Sequence, residues 1–207
     1  MKKIIDDDID LINLHLTELF DLSDVEVLGN FYCMRNKLTT LKGSPHTVRG
    51  DFNCSSNSLN SLQGSPHTIS RGFYCCDNDL TSLEGGPNTV DRTFMCTNNK
   101  LTSLRGAPQT VGGDFWCTGN QLINLIGAPH TVNGDFYCIQ NQLTSLKGSP
   151  HTVGGDFGCG GDNLTNIDDM PKVINGYCFM PKHLRDKFPQ EYVHSLSKIK
   201  HSVVYIN

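Results

Sequence analysis

Nine cysteines and eight histidines in 207 residues are the side chains with the most chemistry to offer. Thiolates and imidazoles hold zinc, cysteines hold iron-sulfur clusters, and a thiolate beside a base is a nucleophile. The spacing argues against all three. Cys33, Cys54, Cys75, Cys96, Cys117, Cys138 and Cys159 stand 21 residues apart without exception, which makes them an inward column of small hydrophobes with no histidine position recurring near them. His46, His67, His130 and His151 each follow a proline in the same repeat, with Asn88 and Gln109 at that position in the middle coils. Two imidazoles one strand spacing apart fall short of the three or four ligands a metal site needs, so neither metal nor cofactor is expected. Cys76 is the one thiol that strand alternation turns outward, and it is the candidate for reactivity. No P-loop, HExxH, nucleophile elbow or kinase signature occurs, and a non-enzymatic role is expected.

The seven cysteines belong to a repeat, and a period between about 20 and 50 residues signals a solenoid. Phe31, Phe52, Phe73, Phe94, Phe115, Phe136 and Phe157 stand two residues before them, and Asn36, Asn57, Asn78, Asn99, Asn120, Asn141 and then Asp162 stand three after. Two leucine positions follow, from Leu38 and Leu41 to Leu164 and Ile167, then a proline, then Val48 and its counterparts to Ile174. Alternation makes Phe-x-Cys a short strand with both named side chains inward. Stacked coils then set these strands side by side in a parallel sheet. The asparagine ends each strand, and its amide is placed to satisfy backbone groups of its own coil and the next that burial would leave unpaired. Leucines and valine fill the layer behind the sheet, while Gly43 and its repeats, followed by proline, keep the outer turn extended rather than helical. The column cysteines are therefore expected to be buried, reduced and unreactive. Seven full coils are expected, with an eighth, shortened coil ending at Cys178.

The unit N-x-L-T-x-L-x-x-x-P-x-x-V followed by F-x-C resembles the bacterial short-repeat class of leucine-rich repeats, and it is similar to repeat proteins of tailed phages. The resemblance covers about residues 24–178. It implies a leucine-rich-repeat-like solenoid, with a short parallel β-sheet on a concave face and an extended convex face, serving as a binding scaffold for another protein. The phage likeness implies an inhibitor or modulator of a host protein.

A solenoid exposes an apolar layer at each end and needs caps. Ile9, Ile12, Leu16, Leu19 and Phe20 have helical spacing after Asp6, Asp7 and Asp8, which predicts a cap helix over residues 8–22. Residues 1–23 are thus read as an N-terminal helical cap, 24–178 as the solenoid and 179–207 as a C-terminal helical cap of two short helices broken at Pro189. Net charge is −4, which argues against a nucleic-acid partner. No stretch is long and apolar enough for a membrane span and no signal-peptide core appears, so a cytoplasmic location is expected.

Between each inward pair lies one outward residue: Tyr32, Asn53, Tyr74, Met95, Trp116, Tyr137 and Gly158. Aromatic residues and methionine are enriched in interface cores, and this column contains the only tryptophan. Such a column is expected to bind a protein partner. Sheet packing is the competing account, because aromatics also favour strands, and a homo-oligomer assembled through the column is the alternative function. Asp114, Asp135 and Asp156, just before the phenylalanines, also face outward. At a strand spacing of about 4.8 Å they repel by roughly 1 kcal/mol per neighbouring pair in water. They therefore suit either a basic partner or a local role accepting backbone hydrogen bonds.

Overall fold

The computed structural model describes residues 3–161 and 163–206. It is a parallel β-solenoid. One ten-stranded sheet, its order following the chain, runs through Ile9–Asp10, Phe31–Tyr32, Phe52–Asn53, Phe73–Tyr74, Phe94–Met95, Phe115–Trp116, Phe136–Tyr137, Phe157–Gly158, Cys178–Pro181 and Val203–Ile206. Register is set by the repeat, so Phe pairs with Phe and the outward residues pair with one another, as in Phe94↔Phe115 and Met95↔Trp116. A one-residue slip would turn every phenylalanine into solvent, and burial forbids it.

The outer arc is also paired. Thr-Val dipeptides form two shorter parallel ladders, a four-stranded one from Lys3–Ile5 to Thr68–Ile69 and a six-stranded one from Thr89–Val90 to Lys198–Ile199. Between the two faces the seven phenylalanines and the two leucine columns form a continuous buried core with the cysteines and valines. Neighbouring phenyl rings stack at 5.2 to 5.9 Å along its length. Turns between faces need a left-handed residue: Gly106 has φ +83°, and a Cβ there would lie 2.5 Å from the Glu84 amide nitrogen. Only glycine tolerates both demands.

The asparagine column is a hydrogen-bond ladder. Asn99 Nδ2 donates to the carbonyls of Cys96 (3.1 Å), Thr97 (3.3 Å) and, in the preceding coil, Cys75 (3.0 Å), while its Oδ1 accepts from Leu80 N–H at 3.0 Å. Asn57, Asn78, Asn120 and Asn141 repeat this pattern. Asn36 does the same toward the first coil, its Oδ1 taking both Leu14 N–H and Leu16 N–H. Each amide thus bonds to its own coil and the preceding one, not the next. Asp162, the seventh rung, lies outside the described residues.

Both ends differ from expectation. Residues 3–22 contain no helix and form a first coil instead, in which Ile9 takes the phenylalanine place opposite Phe31. The Leu-x-x-Leu spacing of a coil equals the i, i+3 spacing of a helix face, so the same residues fit either. Leu16 and Leu19 stand where Leu38 and Leu41 stand one coil later, while Phe20 remains exposed. At the other end residues 182–206 form a last coil containing one 3₁₀ turn, Lys182–Leu184, one α-helix, Gln190–Leu196, and two more strands. The helix begins after Pro189, which suits a first helical turn because it lacks an N–H. The coil ending at Cys178 is not shortened. Cys178 pairs with Phe157, exactly one 21-residue period earlier, so it stands in the phenylalanine column and Met180 takes the cysteine place.

Candidate functional site

The candidate site is the outward face of the ten-stranded sheet. Each strand buries its phenylalanine and leaves the next side chain half-exposed, as Tyr32, Asn53, Tyr74, Met95, Trp116 and Tyr137 all are. Alternation therefore places the column as the sequence requires. How the rings lie was not legible in advance. A Cβ at Gly72 would meet the Tyr74 phenol, and a Cβ at Gly158 would meet the Tyr137 ring. Both tyrosines lie across glycines, flat against the sheet. That is why the aspartate column breaks at Gly72 and the aromatic column at Gly158.

The apolar strip continues beyond the last regular coil. Trp116 meets Tyr137 edge-on at 5.5 Å, Tyr137 stacks toward Phe179 at 6.4 Å across Gly158, Phe179 meets Tyr177 at 6.0 Å, and Tyr177 stacks on His201 at 4.9 Å. Phe179 and Tyr177 fall outside the expected column because Cys178 occupies the phenylalanine place, not the cysteine place. The period itself, counted from Phe157, would have found them. The Trp116 indole nitrogen is buried without a hydrogen-bond partner among the described residues, so the exposed part of this side chain is hydrocarbon.

The aspartates form a second ladder. Asp114 Oδ1 accepts from Asp135 N–H (2.9 Å), Asp135 Oδ1 from Asp156 N–H (2.7 Å) and Asp156 Oδ1 from Tyr177 N–H (2.7 Å). Asp8, Asn30 and Asp51 repeat the device upstream. Each acceptor reaches the backbone of the next coil, which supports the local role but through cross-coil bonds rather than a turn within the coil. Part-burial raises the Asp135 pKa, its Asp156 hydrogen bond opposes this, and the Asp114 and Asp156 charges add to the rise. The Tyr137 phenol is pushed up to about 12 by burial and by the charges of Asp135 and Asp156. Two arginines unforeseen from the sequence flank the other half of the strip. Arg71 and Arg92 interrupt a column of glycines; burial and the Asp51 charge raise the Tyr32 and Tyr74 phenols, and Arg71 and Arg92 respectively oppose the rise. The polar rim is thus mixed beside Tyr32 and Tyr74, where Asp51 stands with Arg71 and Arg92, and acidic beside Trp116 and Tyr137.

Eight of the nine cysteines are buried and only Cys76 is partly open, with no disulfide between them. The column thiols from Cys33 to Cys138 donate to carbonyls of the next coil at 3.3 to 3.6 Å. Burial pushes the Cys33 thiol up to about 12 and Cys54, Cys75 and Cys96 well above the usual thiol range. Cys76 is raised as well, first by burial. Thiol titration of the native protein is therefore expected to label Cys76 alone and slowly, with the other eight reacting only in denaturant. Rapid native labelling of five or more would contradict the packed column. The histidines pair as foreseen, His46 with His67 at 5.6 Å and His130 with His151 at 5.2 Å. Among the described residues no group of three or more histidine, cysteine or acidic side chains is arranged to hold a metal ion.

Compared with known proteins, the chain matches no protein-family model, no curated protein and no solved structure.

Proposed function

We propose that this chain is a non-catalytic scaffold that binds another protein through the outward face of its ten-stranded sheet. The observation that carries the reading is the strip from Tyr74 through Met95, Trp116 and Tyr137 to Phe179, half-exposed on a rigid ladder. Rings held flat by glycines lose little entropy on binding, which favours affinity. Tyr74 to Tyr137 spans three strand spacings, roughly 14 Å, the scale of the core of an interface of about 800 Å² per partner. Basic groups of the partner would meet Asp114, Asp135 and Asp156, while the mixed half of the rim offers Arg71 and Arg92 to acidic ones. A nucleic acid fits poorly, since Asp114, Asp135 and Asp156 repel phosphates along half the strip.

Trp116→Ala is expected to weaken partner binding by about 2 kcal/mol or more, roughly thirtyfold in Kd, with the melting temperature little changed. The partner is isolated by affinity capture from a cell extract and its binding titrated against wild type and variant. Asp135→Lys should slow association with a basic partner surface and alter its salt dependence. If Trp116→Ala instead lowers the melting temperature by many degrees and leaves binding intact, the strip is a packing device and the proposal fails. Self-association abolished by Trp116→Ala would replace it with a homo-oligomer built through the strip.

A further inference from the structure

The two end coils are complementary in backbone and charge. In the ten-stranded sheet each inward residue donates its N–H to the next coil. Ile9 and Leu11 donate to the carbonyls of Asn30 (2.8 Å) and Tyr32 (2.7 Å), and the series ends with Cys178 donating to Ser202 at 3.0 Å. Val203 and Tyr205 pair with Cys178 and Met180. They therefore carry the next donors in the series, and no strand follows theirs among the described residues. At the opposite edge Asp8 and Asp10 carry the matching carbonyls, because Asp10 pairs with Tyr32 and Asp8 precedes it in the same register. No strand precedes theirs in this sheet among the described residues. One edge offers donors where the other offers acceptors, at the same two-residue interval.

Charge divides in the same sense. Residues 1–30 hold eight carboxylates against two lysines, a net of −6, whereas residues 179–207 hold five basic against two acidic side chains, a net of +3. The stretch between them is nearly neutral, at −1. The first coil is also incompletely covered: Ile5, Ile9, Leu11 and Leu16 are half-buried, while Val27, Phe31, Cys33 and Leu38 directly behind them are fully buried. Ile4, on the same coil, is exposed.

We propose that the first coil of one copy stacks on the last coil of another, extending the ten-stranded sheet head to tail in unbroken register. The register assigns partners. Ile174 pairs with Ile199 in the last step of the outer ladder and Val27 with Ile5 in the first, so a following copy sets Ile5 beyond Ile199. Lys200 then faces Asp6, and His201 faces Asp7. Val203 and Tyr205 donate to the carbonyls of Asp8 and Asp10. Such a contact joins two different surfaces and leaves each end of a dimer able to bind again, so assembly continues past the dimer. It leaves the aromatic strip free and stands apart from the binding role proposed above.

Sedimentation velocity of the 207-residue chain tests this. The expected result is a sedimentation coefficient that climbs with concentration past the dimer and falls as salt is raised. Asp6→Lys and Lys200→Asp alter exposed side chains, and each alone should weaken association by about tenfold or more, because the register then opposes like charges. An equimolar mixture of the two variants should recover it, since every contact between unlike copies again pairs opposite charges. A chain that stays monomeric at all concentrations overturns the proposal. So does association that both variants leave unchanged, or association that Trp116→Ala abolishes.

Discussion

Phe115→Ala is expected to lower the stability of the protein by about 3–5 kcal/mol, the range for removing a large aromatic side chain from a packed core. The ring is fully buried and stacks between Phe94 at 5.2 Å and Phe136 at 5.3 Å. The cavity cannot collapse. Backbone bonds on both sides fix the coil spacing, with Phe94 N–H to the Asp114 carbonyl at 2.8 Å and Phe115 N–H to the Asp135 carbonyl at 2.7 Å. In a solenoid each coil is stabilised chiefly by its neighbours, so a weak central junction also uncouples the two halves. Denaturant unfolding should therefore show a loss of midpoint together with a shallower transition. Phe20→Ala, which trims an exposed ring, should change neither. A loss below about 1 kcal/mol at Phe115 would mean that the phenyl column does not carry the core.

Asn99→Ala is the second large effect, at about 3 kcal/mol, because it strands several buried backbone groups at once at about 1–3 kcal/mol each. The Cys75 carbonyl and the Leu80 N–H of the preceding coil lose their bonds to this amide, as do the carbonyls of Cys96 and Thr97. The same change at Asn36 should cost less, since that side chain is only partly buried and reaches groups near the exposed first coil. Asn99→Asp should be no milder than alanine. It keeps the acceptor but removes the donor and buries a charge without a counter-ion. Thermal melts of the three variants check the order, and equal, negligible losses at Asn99 and Asn36 would reduce the ladder to surface turn residues.

Much of the candidate strip was readable without coordinates. A strand beginning at a buried phenylalanine leaves its second residue outward, so Tyr74, Met95, Trp116 and Tyr137 follow from alternation alone. Phe179 and Tyr177 do not, because the cysteine column sets the register in the sequence and Cys178 instead replaces a phenylalanine. The carboxylates show a different gap. Coulomb's law gives the repulsion between Asp114, Asp135 and Asp156, but their hydrogen bonds run to backbone groups 21 residues away, and a repeat pattern does not say which coil a side chain reaches toward.

What the sequence by itself determined is the content of one coil: its period, its inward and outward positions, and its non-helical glycine-proline outer turn. These depend on local geometry that every coil repeats, so seven copies of the pattern reinforce one reading. Only the tertiary structure decided the direction of the asparagine and aspartate ladders, the flat tyrosines over Gly72 and Gly158, and the fate of both ends. Those features depend on which coil lies above and which below. A helix and a coil can share the same three-residue apolar spacing, and the choice between them in residues 3–22 follows from the edge that Val25–Val27 and Phe31–Tyr32 offer for pairing. An isolated helix would leave that edge's backbone groups unpaired, whereas another coil satisfies them.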